Sequence, residues 1–136
     1  MKSMFDYTII ADFMSSSSRE RIIYELSSPK KRLKALERFS HDVDSVINPE
    51  CIYFKGKSIN DAIKSEIKKS AEECIVLSLE HQQGKKMIIE DALEYLSYEC
   101  TVVMVVIENW LILKPEYEGG EGLLYVLRKK QWILCF

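Results

Sequence analysis

The sequence predicts a single α/β domain, with α+β as the alternative, in which helices cover at least one face of a mixed sheet. The first observation is composition: 136 residues, 47% hydrophobic and 29% charged, provide one buried core and exclude wholesale disorder. The second is the alternation of helix-period and strand-period segments along the chain. The third is the absence of an internal repeat or a long low-complexity segment. We therefore treat residues 1–136 as one globular domain.

The N-terminal third predicts a pair of helices. An apolar segment, residues 5–14, precedes a serine run. Ser17 and Glu20 then have the spacing of a capping box, which marks the start of a helix. The next helix is predicted to begin with Ser28 as N-cap and Pro29 at the first helical position. Its predicted apolar stripe consists of Leu33, Leu36, Phe39 and Val43.

The second helix also carries a dense basic stretch. Its basic residues are Lys30, Lys31, Arg32, Lys34 and Arg38. The formal net charge of the whole chain is −2, and the aromatic residue of the stretch, Phe39, belongs to the apolar stripe. Nucleic-acid binding favours a strongly basic domain with exposed aromatics. We therefore interpret the stretch as a solvated helix face and expect no nucleic-acid partner.

The remainder of the chain predicts strands and helices in the order β-α-β-α-β, followed by an antiparallel hairpin. Strands are predicted at residues 51–54, 74–79, 101–107, 110–113 and 123–127, with the tail 131–136 as a last one. Helices are predicted after a Ser58 cap and across residues 88–96, and residues 81–86 are predicted as a loop. Strands that alternate with helices favour parallel crossovers, whereas the short Glu108-Asn109 connection predicts a hairpin.

The cysteines and the apolar runs indicate a cytoplasmic protein. Cys51, Cys74, Cys100 and Cys135 form no CxxC pair, and three of them begin apolar runs, as buried thiols do in a reducing compartment. We therefore expect no metal and no cofactor. The first 13 residues lack the apolar run of a secretory leader, and the longest apolar run, residues 102–107, is too short to cross a bilayer. No membrane association is expected.

Two clusters contain residues suited to acid–base chemistry. Glu80 and His81 follow a predicted strand, where open α/β sheets place ligand sites. Their loop has one glycine, however, so it does not match a phosphate-binding loop, and the chain has no GxSxG or HExxH motif. His41 and Asp44, three residues apart, are typical of a local stabilising pair at a helix end. The enzymatic alternative is therefore a small hydrolase or nuclease that uses Glu80 and His81.

The charge is distributed unevenly along the chain. Residues 19–38 have a balance of +4. Residues 87–127 contain eight carboxylates against one lysine, Lys114, a balance of −7. Several aromatic residues lie among these carboxylates, a combination that suits a surface for a basic protein. Charge complementarity would speed the encounter and select the partner.

The favoured functional interpretation is a non-catalytic module that binds and neutralises a basic protein. Its most concrete form is an immunity protein or antitoxin that blocks a nuclease toxin. The predicted partner-binding residues are Glu90, Asp91, Glu94, Tyr95, Tyr98, Glu116, Tyr117, Glu118 and Glu121, with Tyr95, Tyr98 and Tyr117 as anchors. A further expectation is a homo-oligomer formed by the apolar tail, because such a tail can pair with a sheet edge.

Overall fold

A computed structural model describes residues 6–116 and 123–130, in which helices cover both faces of a six-stranded sheet. A 3₁₀ helix, Tyr7–Phe13, is followed by α1 (Arg19–Ser27), α2 (Arg32–His41), α3 (Val43–Val46), a 3₁₀ turn (Pro49–Cys51), α4 (Asp61–Ser70) and α5 (Ile89–Tyr98). The strands are β1 (Ile52–Gly56), β2 (Glu73–Ser78), β3 (Lys85–Ile88), β4 (Val103–Ile107), β5 (Trp110–Lys114) and β6 (Leu124–Arg128).

The sheet confirms the predicted fold class in its α+β form. Its strand order is β1-β6-β5-β4-β2-β3, and every pair is antiparallel. No neighbouring pair is parallel, so the sheet is antiparallel and not mixed. Strands β1 and β2, joined through α4, do run in the same direction, but three strands lie between them. The predicted parallel crossover from β2 through α5 to β4 was wrong, because the chain first forms β3, part of which was predicted as a loop. Strand β3 reverses the chain before α5, so that β4 enters the sheet opposite in direction to β2.

The predicted hairpin is confirmed. Strands β4 and β5 pair from Ile107 with Trp110 to Val103 with Lys114, and Glu108-Asn109 forms the turn. Asn109 has a φ of 67°, the left-handed region that asparagine tolerates better than most residues. The carbonyl of Asn109 also accepts a hydrogen bond from the Lys129 backbone N–H at 2.8 Å.

The sheet is buried on both faces, and each face has its own helical layer. The N-terminal layer comprises the 3₁₀ helix Tyr7–Phe13 with α1, α2 and α3; the C-terminal layer comprises α4 and α5. Strand residues alternate between the two, as the period of a strand requires. In β4, Met104 and Val106 contact the N-terminal layer, whereas Val103, Val105 and Ile107 contact the C-terminal layer.

Three helix starts differ from the predictions. Ser18 precedes α1 and makes no side-chain capping bond. Residues 28–31 form a turn, closed by the Lys31 backbone N–H to the Ser28 carbonyl at 3.0 Å, so α2 begins only at Arg32. The cap of α4 is Asn60, whose Oδ1 accepts from the Ile63 backbone N–H at 2.9 Å, and not Ser58.

The predicted apolar stripe of the second helix is also partly wrong. Leu33 is 38% exposed, and Arg32 is buried in its neighbourhood instead. The helix ends at His41, because Asp42 leaves the helical conformation with φ −148° and ψ 39°. Val43 therefore belongs to the separate short helix α3, although it is buried as predicted.

Two of the four cysteines behave as the predicted buried thiols. Burial raises the pKa of the Cys51 thiol above its usual value, and raises that of Cys74 to about 12. Cys100 is exposed, contrary to the prediction, because it lies in the connection between α5 and β4. Cys135 lies outside the described residues.

Candidate functional site

The outer face of α5 collects the acidic residues that the sequence analysis assigned to a partner surface. Ile89, Ala92, Tyr95 and Leu96 are buried against the sheet. The exposed residues are Glu90, Asp91, Glu94, Ser97 and Tyr98. Glu90 and Asp91 occupy the first turn, where the helix dipole also stabilises a carboxylate. Glu94 lies beyond that turn, four residues before Tyr98, so the two side chains share one face.

The single base of this acidic segment is directed away from that face. The Lys114 ammonium, on β5, donates to the backbone carbonyls of Leu96 and Glu99 at the end of α5. These carbonyls have no partner within the helix, so the contact completes its C-terminus. Burial lowers the pKa of Lys114 below its usual value. The charge of Lys114 therefore supports the end of the helix and does not neutralise the outer carboxylates.

A hydrogen-bonded network joins α5 to the loop between β2 and β3, residues 79–84. The Tyr95 hydroxyl donates to Glu80 Oε1 at 3.1 Å and lies 2.8 Å from Ser78 Oγ. Ser78 Oγ accepts from the His81 backbone N–H at 3.0 Å. His81 Nε2 lies 3.2 Å from the same Glu80 oxygen. The network fixes the first half of the loop against the helix.

The direction of these hydrogen bonds follows from the number of hydroxyl protons available. The single proton of Tyr95 is committed to Glu80, so the Ser78 hydroxyl donates to the Tyr95 oxygen. Burial raises the pKa of the Tyr95 phenol to about 12, which keeps the phenol protonated. Ser78 is fully buried, so its hydroxyl organises the loop and is not presented to a substrate.

The other half of the loop is held from the opposite layer. The guanidinium of Arg32 donates to the carbonyl of Gln82 at 2.8 Å and also to that of Leu26 at 2.7 Å. Gly84 has a φ of +83°, and an added Cβ there would meet Ile75 at 3.1 Å, so the turn into β3 favours glycine. Sequence reasoning missed this contact because Arg32 and Gln82 are 50 residues apart.

Of the tyrosines predicted as partner anchors, Tyr95 is buried and Tyr98 is exposed. Tyr95 is only 3% exposed, because its ring packs in the C-terminal core while its hydroxyl joins the network. Tyr98 is 63% exposed and packs edge-on against Tyr95, with ring centroids 5.5 Å apart. Glu116 is exposed. Tyr117, Glu118 and Glu121 lie outside the described residues, as does the tail 131–136.

The basic stretch is less solvated than the sequence predicts. Glu25 is buried and accepts two hydrogen bonds from Arg38, at 2.8 and 3.0 Å, and Arg21 lies 3.8 Å away. The hydrogen bond from Arg38 lowers the pKa of Glu25 below its usual value. Together with Arg32, these contacts mean that part of the basic charge serves the packing of α1 against α2.

Two cavities lie away from the α5 face. One of about 470 Å³ lies between the N-terminal 3₁₀ helix and β2 and β4, and one of about 490 Å³ lies between α1, α2 and α3. His41 lines the second cavity, whereas Asp44 lies 3.8 Å from Lys55. Within residues 6–116 and 123–130, no group of three or more potential ligands is arranged to hold a metal ion. In the same residues, no helix has the length and apolarity to cross a membrane.

Comparison with known proteins provides no relative. No protein-family model matches the chain. No curated protein and no solved structure matches it either.

Proposed function

We propose that this protein is a non-catalytic binding module that neutralises a basic protein through the outer face of α5. The observation that carries the proposal is the division of charge in the acidic segment. Its one lysine supports the end of α5, while Asp91 and Glu94 face solvent on the helix that carries Tyr98. The exposed Glu90 meets Lys68 of α4 at 3.4 Å. Exposed carboxylates around an aromatic ring suit a basic protein surface.

The most concrete form of the proposal is a cytosolic immunity protein or antitoxin that blocks a nuclease toxin. A nuclease is basic where it holds phosphate, and an acidic surface can occupy that position. Mutual attraction of the two surfaces would speed association and make it sensitive to salt. We include Glu116 in the proposed partner-binding surface, together with Tyr117, Glu118 and Glu121.

The first test is co-purification of the tagged protein, expressed with its genomic neighbours, at moderate salt. The expected result is a stoichiometric basic protein, identified by mass spectrometry and released as salt is raised. A protein that remains alone and monomeric at every salt concentration contradicts the proposal. The alternative of a small hydrolase or nuclease would then be tested by His81→Ala in activity assays.

The second test compares two triple charge reversals in binding to the co-purified partner. Replacing Glu90, Asp91 and Glu94 by Lys is expected to weaken binding by about tenfold or more and to reduce its salt dependence. The matched control replaces the exposed Glu20, Glu37 and Glu50 by Lys, which changes the net charge equally on other surfaces. Equal losses in both triples would show that only total charge matters and would remove α5 from the interface.

A third variant set addresses the acidic segment before β6. Replacing Glu116, Glu118 and Glu121 together by Lys is expected to weaken partner binding and to reduce its salt sensitivity. Unchanged affinity for the same partner would exclude this segment from the interface while leaving the α5 face in place.

A further inference from the structure

The exposed tyrosines of this protein differ in what lies over their rings. Tyr24 has the Lys31 ammonium 5.6 Å from its ring centroid, and Tyr53 has the Arg128 guanidinium at 5.7 Å. Within residues 6–116 and 123–130, no cation of the chain lies over Tyr98, although it is 63% exposed. An aromatic face attracts a cation within about 6 Å of its centroid. Tyr98 therefore presents to solvent a face that the comparable rings use internally.

Two carboxylates belong to the surroundings of Tyr98, one through helix spacing and one through Tyr95. Glu94 lies one helical turn before Tyr98 on the same exposed face. Tyr95, the edge-on neighbour of Tyr98, holds Glu80 through its hydroxyl at 3.1 Å. Both internal contacts of Glu80 use Oε1, and its side chain is 62% exposed. In the described part of the chain, no hydrogen bond reaches its other oxygen.

The loop that carries Glu80 is fixed before any partner arrives. Ser78 of β2 and Tyr95 of α5 hold its first half, and Arg32 holds it from the N-terminal layer. The same loop exposes Leu79, at 41%, next to Glu80. Because the loop is already ordered, binding costs less conformational entropy than binding by a mobile segment.

We propose that Tyr98, Glu94 and Glu80 form a recognition site for an arginine side chain of a basic protein, with Leu79 as an adjoining apolar contact. A guanidinium can stack on an aromatic face while its N–H groups donate to carboxylates, and an ammonium cannot do both in one plane. The inference rests on the proposed function and deepens it, because it specifies which residue of the partner the surface selects. It also gives Glu80 a role in binding.

The test measures binding of a fluorescein-labelled nona-arginine peptide and of its nona-lysine counterpart by anisotropy at low salt. The wild-type protein is expected to bind nona-arginine more tightly. Tyr98→Ala is expected to weaken nona-arginine binding by about threefold and to remove most of the preference over nona-lysine. Glu80→Gln should weaken it by a similar factor, again about threefold.

The matched controls come from the N-terminal layer. Tyr24→Ala removes a tyrosine of nearly equal exposure, 61%, and Leu33→Ala removes a leucine about as exposed as Leu79. Neither control should change the arginine preference. If Tyr98→Ala proves unfolded by circular dichroism, Tyr98→Leu removes the π face while keeping an apolar side chain.

Equal binding of the two peptides by the wild type, or equal losses for Tyr98→Ala and Tyr24→Ala, would overturn the arginine site. This failure is distinguishable from failure of the proposed function. A co-purified partner that binds Tyr98→Ala as tightly as the wild type, but not the α5 charge-reversal variant, would overturn the arginine site alone. An arginine preference that depends on Tyr98, without any co-purified partner, would overturn the proposed function alone.

Discussion

The two helical layers of this protein use their charged side chains in opposite ways. In the N-terminal layer, the buried Arg32 donates to the backbone carbonyls of Leu26 and Gln82. Arg38 donates two hydrogen bonds to the carboxylate of the buried Glu25. In the C-terminal layer, the carboxylates of α5 face solvent, and Glu90 meets Lys68 at 3.4 Å across two exposed side chains. The N-terminal layer uses part of its charge for packing, whereas α5 keeps its charge at the surface.

This difference shows why a local charge balance is a poor guide to an interaction surface. The positive balance of +4 is concentrated in the short segment 19–38, so it is the more conspicuous charge cluster in the sequence. Three of its arginines, Arg19, Arg32 and Arg38, are nevertheless engaged within the fold. The acidic segment is longer and more dilute, yet its exposed part lies on one helix face. Availability to a partner depends on burial, and burial is set by the tertiary structure.

The largest expected effect comes from removing the most deeply engaged charge of the N-terminal layer. Arg32→Met should destabilise the protein by about 3 kcal/mol, since the carbonyls of Leu26 and Gln82 lose a charged donor in a buried setting. Urea denaturation should show a lower midpoint at an unchanged slope. The adjacent exposed residue provides the control, Lys31→Met. Equal effects of the two changes would show that the contrast between internal and surface charge does not hold.

A smaller loss of stability is expected on removing the buried hydroxyl of Tyr95 in the C-terminal layer. Tyr95→Phe leaves the Ser78 hydroxyl without its acceptor and frees Glu80, which should cost about 1–2 kcal/mol. Tyr98→Phe, which removes an exposed hydroxyl, should cost nearly nothing. Thermal unfolding of both variants measures the difference. A stable Tyr95→Phe protein would mean that the network adds little to the attachment of the loop.

The pH dependence of stability gives a third comparison. The pKa of Glu25 is lowered from its usual value of 4.5 in the folded protein by the bond from Arg38, so its charged form stabilises the fold above that value. Glu25→Gln should therefore cost about 1 kcal/mol at pH 7. The difference from the wild type should shrink as the pH falls below 4.5, where the wild type loses this contribution.

The control for this titration is Glu25→Gln in a background that already carries Arg38→Met. With the donor absent, the effect of the glutamine substitution should no longer follow pH in the same way. If the difference in unfolding free energy between the wild type and Glu25→Gln stays constant from pH 7 to pH 3, the role of Arg38 is contradicted. Free energies of unfolding from urea titrations at each pH provide the measurement.

The smallest effect is expected for the surface pair of the C-terminal layer. Glu90→Gln should change stability by no more than about 0.5 kcal/mol, because both partners are exposed and solvent screens the pair. Unfolding at low and high salt should give the same small value. A larger loss, abolished by salt, would show that the acidic face of α5 also stabilises the fold and would weaken its assignment to a partner.

Local patterns in the sequence were enough to predict where most elements lie. The period of Ile89, Ala92 and Leu96 marked α5, and the β-branched segment 101–107 marked a strand. Glu108-Asn109 marked the hairpin between β4 and β5. These features are local, because helix periodicity, strand periodicity and turn preferences each depend on only a few neighbouring residues. The segregation of acidic and basic residues was readable in the same way.

Contacts between distant segments set the strand order, the antiparallel pairing, the existence of β3 and which charges are buried. Strand pairing uses backbone N–H and C=O groups that every residue shares, so its direction leaves little trace in one segment. Strand β3 is short, with two lysines, and gains its place from β2. Arg32, and not Leu33, is buried because its partner Gln82 arrives from 50 residues away. Tyr95 became a core residue for the same reason, since Ser78 and Glu80 reach its hydroxyl only in the folded chain.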